Sequence, residues 1–558
     1  MGNKPNESRA GSLPPNATEF IRQVVRKMGW RRKARQEVEA ELTAHFEDEL
    51  RDCADAQEEE GRAQQLVEGF GDVKLLAVLC RRAKNRCRPL WVRALACVLQ
   101  ATGLFLLLFT PYTIWFVRGK PNPTIDYLPQ LNALNRPFDP VEDNAWPYYE
   151  SAMRFVVEPN ETVGQARWFE SLGPTKDVLT LREQKVLLDW IAANLPAWRQ
   201  FEIGATKRHC HRTYRGPPGK PLLMSCTDDP PLMNLRRLNQ VGHWKSRLAV
   251  EGGQTEEALD FCLTLIRAGA HLQQNVTIVE ELMAYGMGSL ARRELLGILH
   301  SNELSALRLC ELQTQLTDLY RERYPPLSLE GERLVVLDGI QCEFTSGGPG
   351  GGHHVVGAYT RFVYAALEVP DVPENRSFGW IVWPIDIAAS MIHAGHTRTI
   401  AKVNQLYDRM GELVMRSPYD RRQHGIGEIM DGVGRLGKLR YGIVYLLLPA
   451  ERRASEIRFR AKADHEALIT VLAIKRSRLE KGAYPATLNE LKVAHYLDAL
   501  PADPYSNGPL IYKIIGNDFT LYSVGPDFHD DGGVPGRNSD GKHKMWADNG
   551  DTVFWPVP

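Results

Sequence analysis

ALACVLQATGLFLLLFTPYTIWFV, Ala94–Val117, is the stretch on which the architecture turns. Its 24 residues include no charged side chain. At about 1.5 Å of rise per residue, a helix of this length covers a hydrocarbon core of roughly 30 Å. Trp91, Tyr112 and Trp115 stand near its two ends, where interfacial aromatics belong. Pro111 lies in the last third and can kink a span without forbidding it. The competing reading is a buried core helix, but core helices seldom run this far without a charge. The stretch therefore predicts one transmembrane helix, residues 91–117, with the lipid bilayer as its partner.

The flanks give the span a direction. Arg81, Arg82, Lys84, Arg86, Arg88 and Arg93 precede it, and only Arg118 and Lys120 follow. The positive-inside rule puts the N-terminal side in the cytoplasm and the C-terminal region outside, in the cell membrane as a single-pass protein. The span starts too late for a cleaved signal peptide and is expected to remain as an anchor. The chain opens MGNKPN, and Asn6 stands where a myristoylation signal needs Ser or Thr. Elsewhere the composition is globular: 558 residues, 43% hydrophobic and 24% charged. A mean hydropathy of -0.32 excludes a polytopic membrane protein. The formal net charge of zero gives no basic surface for nucleic acid.

Nine cysteines are present. Cys53, Cys80, Cys87 and Cys97 fall before or within the span; Cys210, Cys226, Cys262, Cys310 and Cys342 fall beyond it. The outer set is odd and irregularly spaced, which gives no disulfide framework and no zinc ribbon. Cys210 and Cys226 flank a Pro/Gly-rich loop and could pair; the other reading is small buried apolar side chains.

Toward the N-terminus, residues 1–17 read as a disordered tail. Residues 18–90 read as short helices, with Phe20, Val24 and Met28 on one stripe and Val38, Leu42, Phe46 and Leu50 on another. RQEVEAELTAHFEDELRD, an acidic helix and the GFGDVKLLAVL turn follow in order. This layout resembles the HAAS, or permease-prefix, family. The resemblance implies a small cytoplasmic helical module ahead of a membrane segment, in some cases tied to regulation.

Toward the C-terminus, residues 118–145 are rich in Pro and Asn and read as a linker. Residues 146–455 read as an extracytoplasmic α-helical domain. Its clearest pair is residues 238–253 and 254–272, broken at Gly252 and Gly253, with Ala258, Cys262, Ile266 and Ala270 at four-residue spacing. One such helix pair resembles a tetratricopeptide-like hairpin, though the 34-residue pattern of that family does not repeat. TSGGPGGGHHVVGA (345–358) reads as a loop or flexible lid. A small α+β domain, 456–558, closes the chain: a long helix, YPATLNEL, LPADPY, then IYKII and FTLYSV around a GND hairpin turn. YPATL, LPADPY and LYSVGPD in this order resemble the C-terminal half of the type II secretion major pseudopilins. In that family the apolar helix directly follows a peptidase site, whereas here the span lies far upstream, so pilus assembly is not implied. The fold class is thus mainly α: a cytoplasmic bundle, one span, a large helical region and a pseudopilin-like cap.

The same resemblance implies calcium in the DFHDDGG loop. Asp527 falls on the family's aspartate, Leu521 and Ser523 fall where backbone or hydroxyl oxygens would come, and Asp548 and Asp551 occupy the tail that would close the site. Calcium takes six to eight oxygens from carboxylates and carbonyls. The other reading is a solvated loop whose aspartates bond their own backbone. His353, His354, His393 and His396 could form a zinc site, but no HExxH or placed carboxylate accompanies them. GGPGGG lacks the lysine of a phosphate loop, and no G-x-S-x-G is present. The leading expectation is a bacterial membrane-anchored scaffold that binds a protein partner rather than an enzyme. The alternatives are transmembrane signalling through the HAAS-like module and a metal-dependent hydrolase built on the four histidines.

Overall fold

Cap residues and apolar periodicity account for most of the helices. In the computed structural model, residues 13–29, 32–86, 90–135, 143–159, 180–216, 232–273, 276–320, 324–357, 382–427, 434–448 and 451–557 are described. These residues are mainly helical, with one small sheet, and they divide into two compact units, Met1–Trp115 and Phe116–Pro558.

In the first unit, α1 (Pro15–Lys27), α2 (Arg32–Leu50), α3 (Ala56–Phe70) and α4 (Val73–Arg86) pack around Phe20, Val24, Val38, Leu42, Phe46 and Ala63. Asp55 caps α3 by accepting from the Glu58 amide, and the Glu58 side chain reaches back to the Ala54 amide. α1 starts at Pro15, inside the segment read as a tail, because a proline costs nothing in a first turn whose amides are unpaired. Residues 1–12 of that tail lie outside the described residues. α5 (Leu90–Val117) contains the apolar run. None of its most apolar window is buried, and Leu99, Leu107 and Leu108 are all more than half exposed. A core helix would be covered by its neighbours. Among the described residues, α5 is the one helix long and apolar enough to cross a membrane.

The second unit begins with α6 (Leu128–Leu134), α7 (Trp146–Arg154), α8 (Leu181–Ala193), α9 (Leu195–Ala205), α10 (Met233–Glu251), α11 (Thr255–Leu272), α12 (Ile278–Ser301), α13 (Ala306–Asp318) and α14 (Glu330–Gln341). It continues with α15 (Val382–Ile392), α16 (His396–Val414), α17 (Pro418–Gln423), α18 (Arg435–Arg440), α19 (Gly442–Leu447), α20 (Glu451–Lys481) and α21 (Leu488–Val493). The segment 118–145, read as a linker, is built into this unit. Leu131 of α6 is fully buried, and three asparagines bind one extended stretch of backbone. Asn132 exchanges two hydrogen bonds with Tyr214, Asn144 does the same with His211, and Asn135 donates to the Arg212 carbonyl. A side-chain amide offers the same donor and acceptor as a peptide group, so asparagines can stand in for a partner strand. Composition alone made the segment look like a linker. Residues 136–142 lie outside the described residues.

Two cores organise the unit. The larger one joins Trp198, Phe201, Leu259, Leu265 and Leu295 to Leu468, Leu472, Phe519 and Trp555. The boundary read at residue 455 therefore falls inside α20, and both sides of it share this core. The smaller one gathers Leu131, Val335, Ile340, Phe344, Val403, Tyr407 and Met410. At its edge, a Cβ on Gly331 of α14 would meet the Val276 carbonyl oxygen at 2.0 Å. Gly331→Ala should cost about 1–3 kcal/mol or more of unfolding free energy, since a backbone atom cannot rotate away. Gly339→Ala in the same helix has open space around it and should stabilise by about 0.5–1 kcal/mol. Urea melts of the pair check both signs.

The sheet is antiparallel, in the order β1 (Ile511–Ile515), β2 (Asp518–Ser523), β3 (Thr552–Trp555). The hairpin register pairs Ile515 with Asp518 and Tyr512 with Leu521. β2 is central and buried; Phe519 stacks on Trp555 at 5.5 Å. The Asp518 carboxylate accepts from the Trp555 indole at 3.0 Å, which ties β3 to the start of β2.

Candidate functional site

Beyond β2 the chain turns into the aspartate loop. Asp503, in the LPADPY turn, is buried beneath it. Its carboxylate accepts from the Ser523 hydroxyl at 2.7 Å, the Val524 amide at 3.0 Å and the Tyr505 amide at 2.9 Å. Burial raises this carboxyl above the ordinary range, and those donors pull it back. Ser523 is thus committed to Asp503, and Leu521 is a fully buried ladder residue. Asp527 accepts from the His529 amide at 3.1 Å, an Asx turn, and its own carbonyl accepts from Arg422 at 3.1 Å. Asp548 is exposed.

Asp551 behaves differently. Its carboxylate receives the amides of Gly533 at 2.6 Å and Asp531 at 3.3 Å. Burial, and then the nearby charges of Asp530 and Asp531, push it up to about 6, against the pull of those amides. Asp530 in turn accepts from the Tyr522 hydroxyl and the Gly532 amide, both at 2.9 Å. The structure therefore sets Asp530 and Asp531 beside Asp551 and gives Asp527 other partners. Asp503 and Asp530 were missed as the residues that shape this loop. The aspartate in LPADPY was the available signal, but only the buried contact to Ser523 shows its use.

The four histidines divide. His353 and His354 are consecutive on a short extended segment that bridges to Phe344, so their side chains point opposite ways. His353 stacks on Phe116 at 4.2 Å and donates to the Phe116 carbonyl at 3.0 Å. His354 faces Ser390 of α15 at 3.1 Å and stacks on His393 at 4.8 Å. The Phe344 ring touches His354, His393 and His396. His393 donates from Nδ1 to the Ala394 carbonyl at 2.9 Å, and the buried Nε2 atoms of His393 and His396 have no hydrogen-bond partner. Burial lowers the pKa of both. The cluster can take up a proton or a donor at those nitrogens. Among the described residues, no group of three or more His, Cys, Asp or Glu is set to hold a metal ion. The glycine loop is closely held: Gly352 lies at φ +130°, and a Cβ there would meet the Thr345 carbonyl at 1.9 Å.

Two buried acids at the start of α12 had no sequence-level role. Thr277 caps the helix. Glu280 pairs with Arg212 at 2.5 Å and accepts from the Tyr214 and Thr277 hydroxyls, both at 2.6 Å. Arg212 lies between the Trp146 and Tyr214 rings, 4.7 and 4.8 Å away. Glu281 accepts from the Tyr285 hydroxyl at 3.0 Å, and burial pushes its carboxyl up to about 8. Cys210 is a buried free thiol, its pKa raised by burial; Cys226 lies outside the described residues. No family model, curated protein or solved structure matches the chain.

Proposed function

We propose that the chain is a single-pass protein of a bacterial cell membrane whose second unit is a non-catalytic, protein-binding scaffold outside the cell. The observation that carries the membrane anchorage is the uncharged apolar run Ala94–Val117 of α5, 24 residues long with none of its most apolar window buried. The cations crowded before it orient the first unit, with its HAAS-like layout, to the cytoplasm. Impermeant thiol labelling of intact cells tests it. With the nine native cysteines replaced by serine, a cysteine replacing exposed Val493 should label at once, and one replacing exposed Gln57 only after permeabilisation. The reverse pattern, or release of the protein by alkaline carbonate, sinks the proposal.

A second element of this reading rests on the resemblance to the pseudopilins, which implies that the loop takes calcium; its carboxylates are not converged on one point among the described residues. At pH 7.5 the full chain in detergent should melt higher in millimolar calcium than in chelator, because a ligand that binds only the folded state stabilises it. The difference should vanish at pH 5, where Asp551 is protonated. An unchanged melt at pH 7.5 removes calcium from the reading.

A further inference from the structure

α4 buries one face and leaves a second apolar face bare. Val73, Leu76, Ala77 and Cys80 pack into the core of the first unit. At about 100° per residue, Leu75, Val78 and Leu79 fall on the opposite side of the helix, and they are 60%, 45% and 51% exposed. A surface helix ordinarily carries polar side chains there. Arg82 stands in line with this stripe, one turn beyond Val78 and Leu79, and Lys74 and Arg81 flank one side of it. All three cations are exposed, and among the described residues none of them pairs with a carboxylate. Lys84, on the core side, is instead held by Glu37 and Glu41. The helix sequence, VKLLAVLCRRAKNR, has no acidic residue, whereas α3 has four glutamates and one arginine. The positive charge is thus local to this side of the unit.

An apolar stripe edged by unpaired cations fits a surface that offers hydrocarbon beneath a layer of negative charge, which is an anionic lipid leaflet. A second copy of this chain would set the same cations against one another, with no carboxylate on the face to answer them. The chain itself supplies the proximity to lipid. Three residues separate α4 from α5. Even fully extended, they keep the last residue of α4 within about 15 Å of the start of α5. We propose that the face of α4 that carries Leu75, Val78 and Leu79 lies in the anionic lipid surface where α5 begins, with Lys74, Arg81 and Arg82 on the headgroups. This rests on the reading of α5 as a span. The first unit is then held to the leaflet at α4 as well as through α5.

Lipid quenching in the full chain tests it, with the nine native cysteines replaced by serine and one fluorophore attached at Ala83→Cys or at Gln57→Cys, both exposed positions. Ala83 borders the stripe without belonging to it, and Gln57 lies on α3. The chain is reconstituted in vesicles of phosphatidylcholine, alone or with an equal part of phosphatidylglycerol, doped with lipid that carries a nitroxide in the upper acyl chain. In the anionic vesicles the Ala83 label should be quenched at least threefold more than the Gln57 label, and at least threefold more than in phosphatidylcholine alone. Arg81→Glu with Arg82→Glu, and separately Leu75→Gln with Leu79→Gln, alter exposed positions only. Each pair should bring the Ala83 label down to the Gln57 level with the far-ultraviolet spectrum unchanged. Equal quenching of the two labels, or quenching indifferent to lipid charge, overturns the proposal; neither comparison needs an altered face, so both decide even where a variant fails to fold. Quenching unaltered in both folded variants overturns it as well, as does a blue-shifted but unquenched Ala83 label, which would put protein against the face. Alkaline carbonate extraction of the same vesicles tests the span separately. A retained chain with an unquenched label sinks this inference alone. A released chain that had been quenched loses the span and keeps the lipid-binding face, and a released, unquenched chain loses both.

Discussion

Glu280→Ala should destabilise the second unit by about 3–5 kcal/mol, the usual cost of stripping one partner from a buried ion pair. The reason is what would remain. Arg212 is 3% exposed, fixed between two aromatic rings, and would keep its charge after losing the Glu280 carboxylate 2.5 Å away. The Tyr214 and Thr277 hydroxyls would lose their acceptor in the same step. Removing both ends, as in Arg212→Met with Glu280→Leu, should recover much of the loss, because no buried charge survives. Urea unfolding followed by tryptophan fluorescence measures the loss for the second unit, which holds most of the chain's twelve tryptophans. A Glu280→Ala loss below about 1 kcal/mol would show that the pair contributes no more than an exposed one.

Glu281→Gln should act in the opposite direction and only over part of the pH range. The fold holds this carboxyl protonated up to about 8, whereas an unfolded chain releases the proton near 4.5. A raised folded value means that the group's stabilising contribution is complete below about 4.5 and is lost as pH climbs through about 8. At about 1.4 kcal/mol per pH unit, the loss reaches about 5 kcal/mol once the pH exceeds the folded value. Glutamine has the same shape, still accepts from the Tyr285 hydroxyl and carries no charge to bury. The variant should match the wild type near pH 4.5 and exceed it by several kcal/mol at pH 8. Thermal melts of both proteins at half-unit steps measure the difference, which cancels every group the two chains share. A difference that stays flat across this range would mean that Glu281 is not buried as a neutral acid.

The elements legible in the sequence are those whose signals are local. The apolar run of α5 needs nothing but itself, and the Gly252–Gly253 break between α10 and α11 is written at the position where it acts. The hairpin of β1 and β2 is legible for the same reason: a two-residue turn and its flanking strands sit side by side. β3 was missed because Thr552–Trp555 is four residues buried on every side, with no alternation to read and a partner strand well upstream. Glu280 and Glu281 look like an ordinary solvated first turn; only Arg212 and Tyr214, brought in from before α10, make that turn an interior. The four histidines were grouped in the sequence only as a possible zinc site; His354 stacks on His393, while the extended backbone sends His353 to Phe116. In the aspartate loop the family resemblance pointed to Asp527, Asp548 and Asp551, whereas the backbone amides of Gly533 and Asp531 bind Asp551 and set Asp531 beside it.

The position of Trp555 sets the order in which the second unit can fold. Its ring packs on Phe519, His300 and Lys475, so three distant parts of the chain meet at one side chain. Loops that long close slowly, and the contacts that reward closure come last. During synthesis the nascent helices α11 and α12 must therefore wait, with part of their apolar surface uncovered, until the end of the unit has emerged. For that interval the uncovered apolar surface is the part of the chain most open to aggregation.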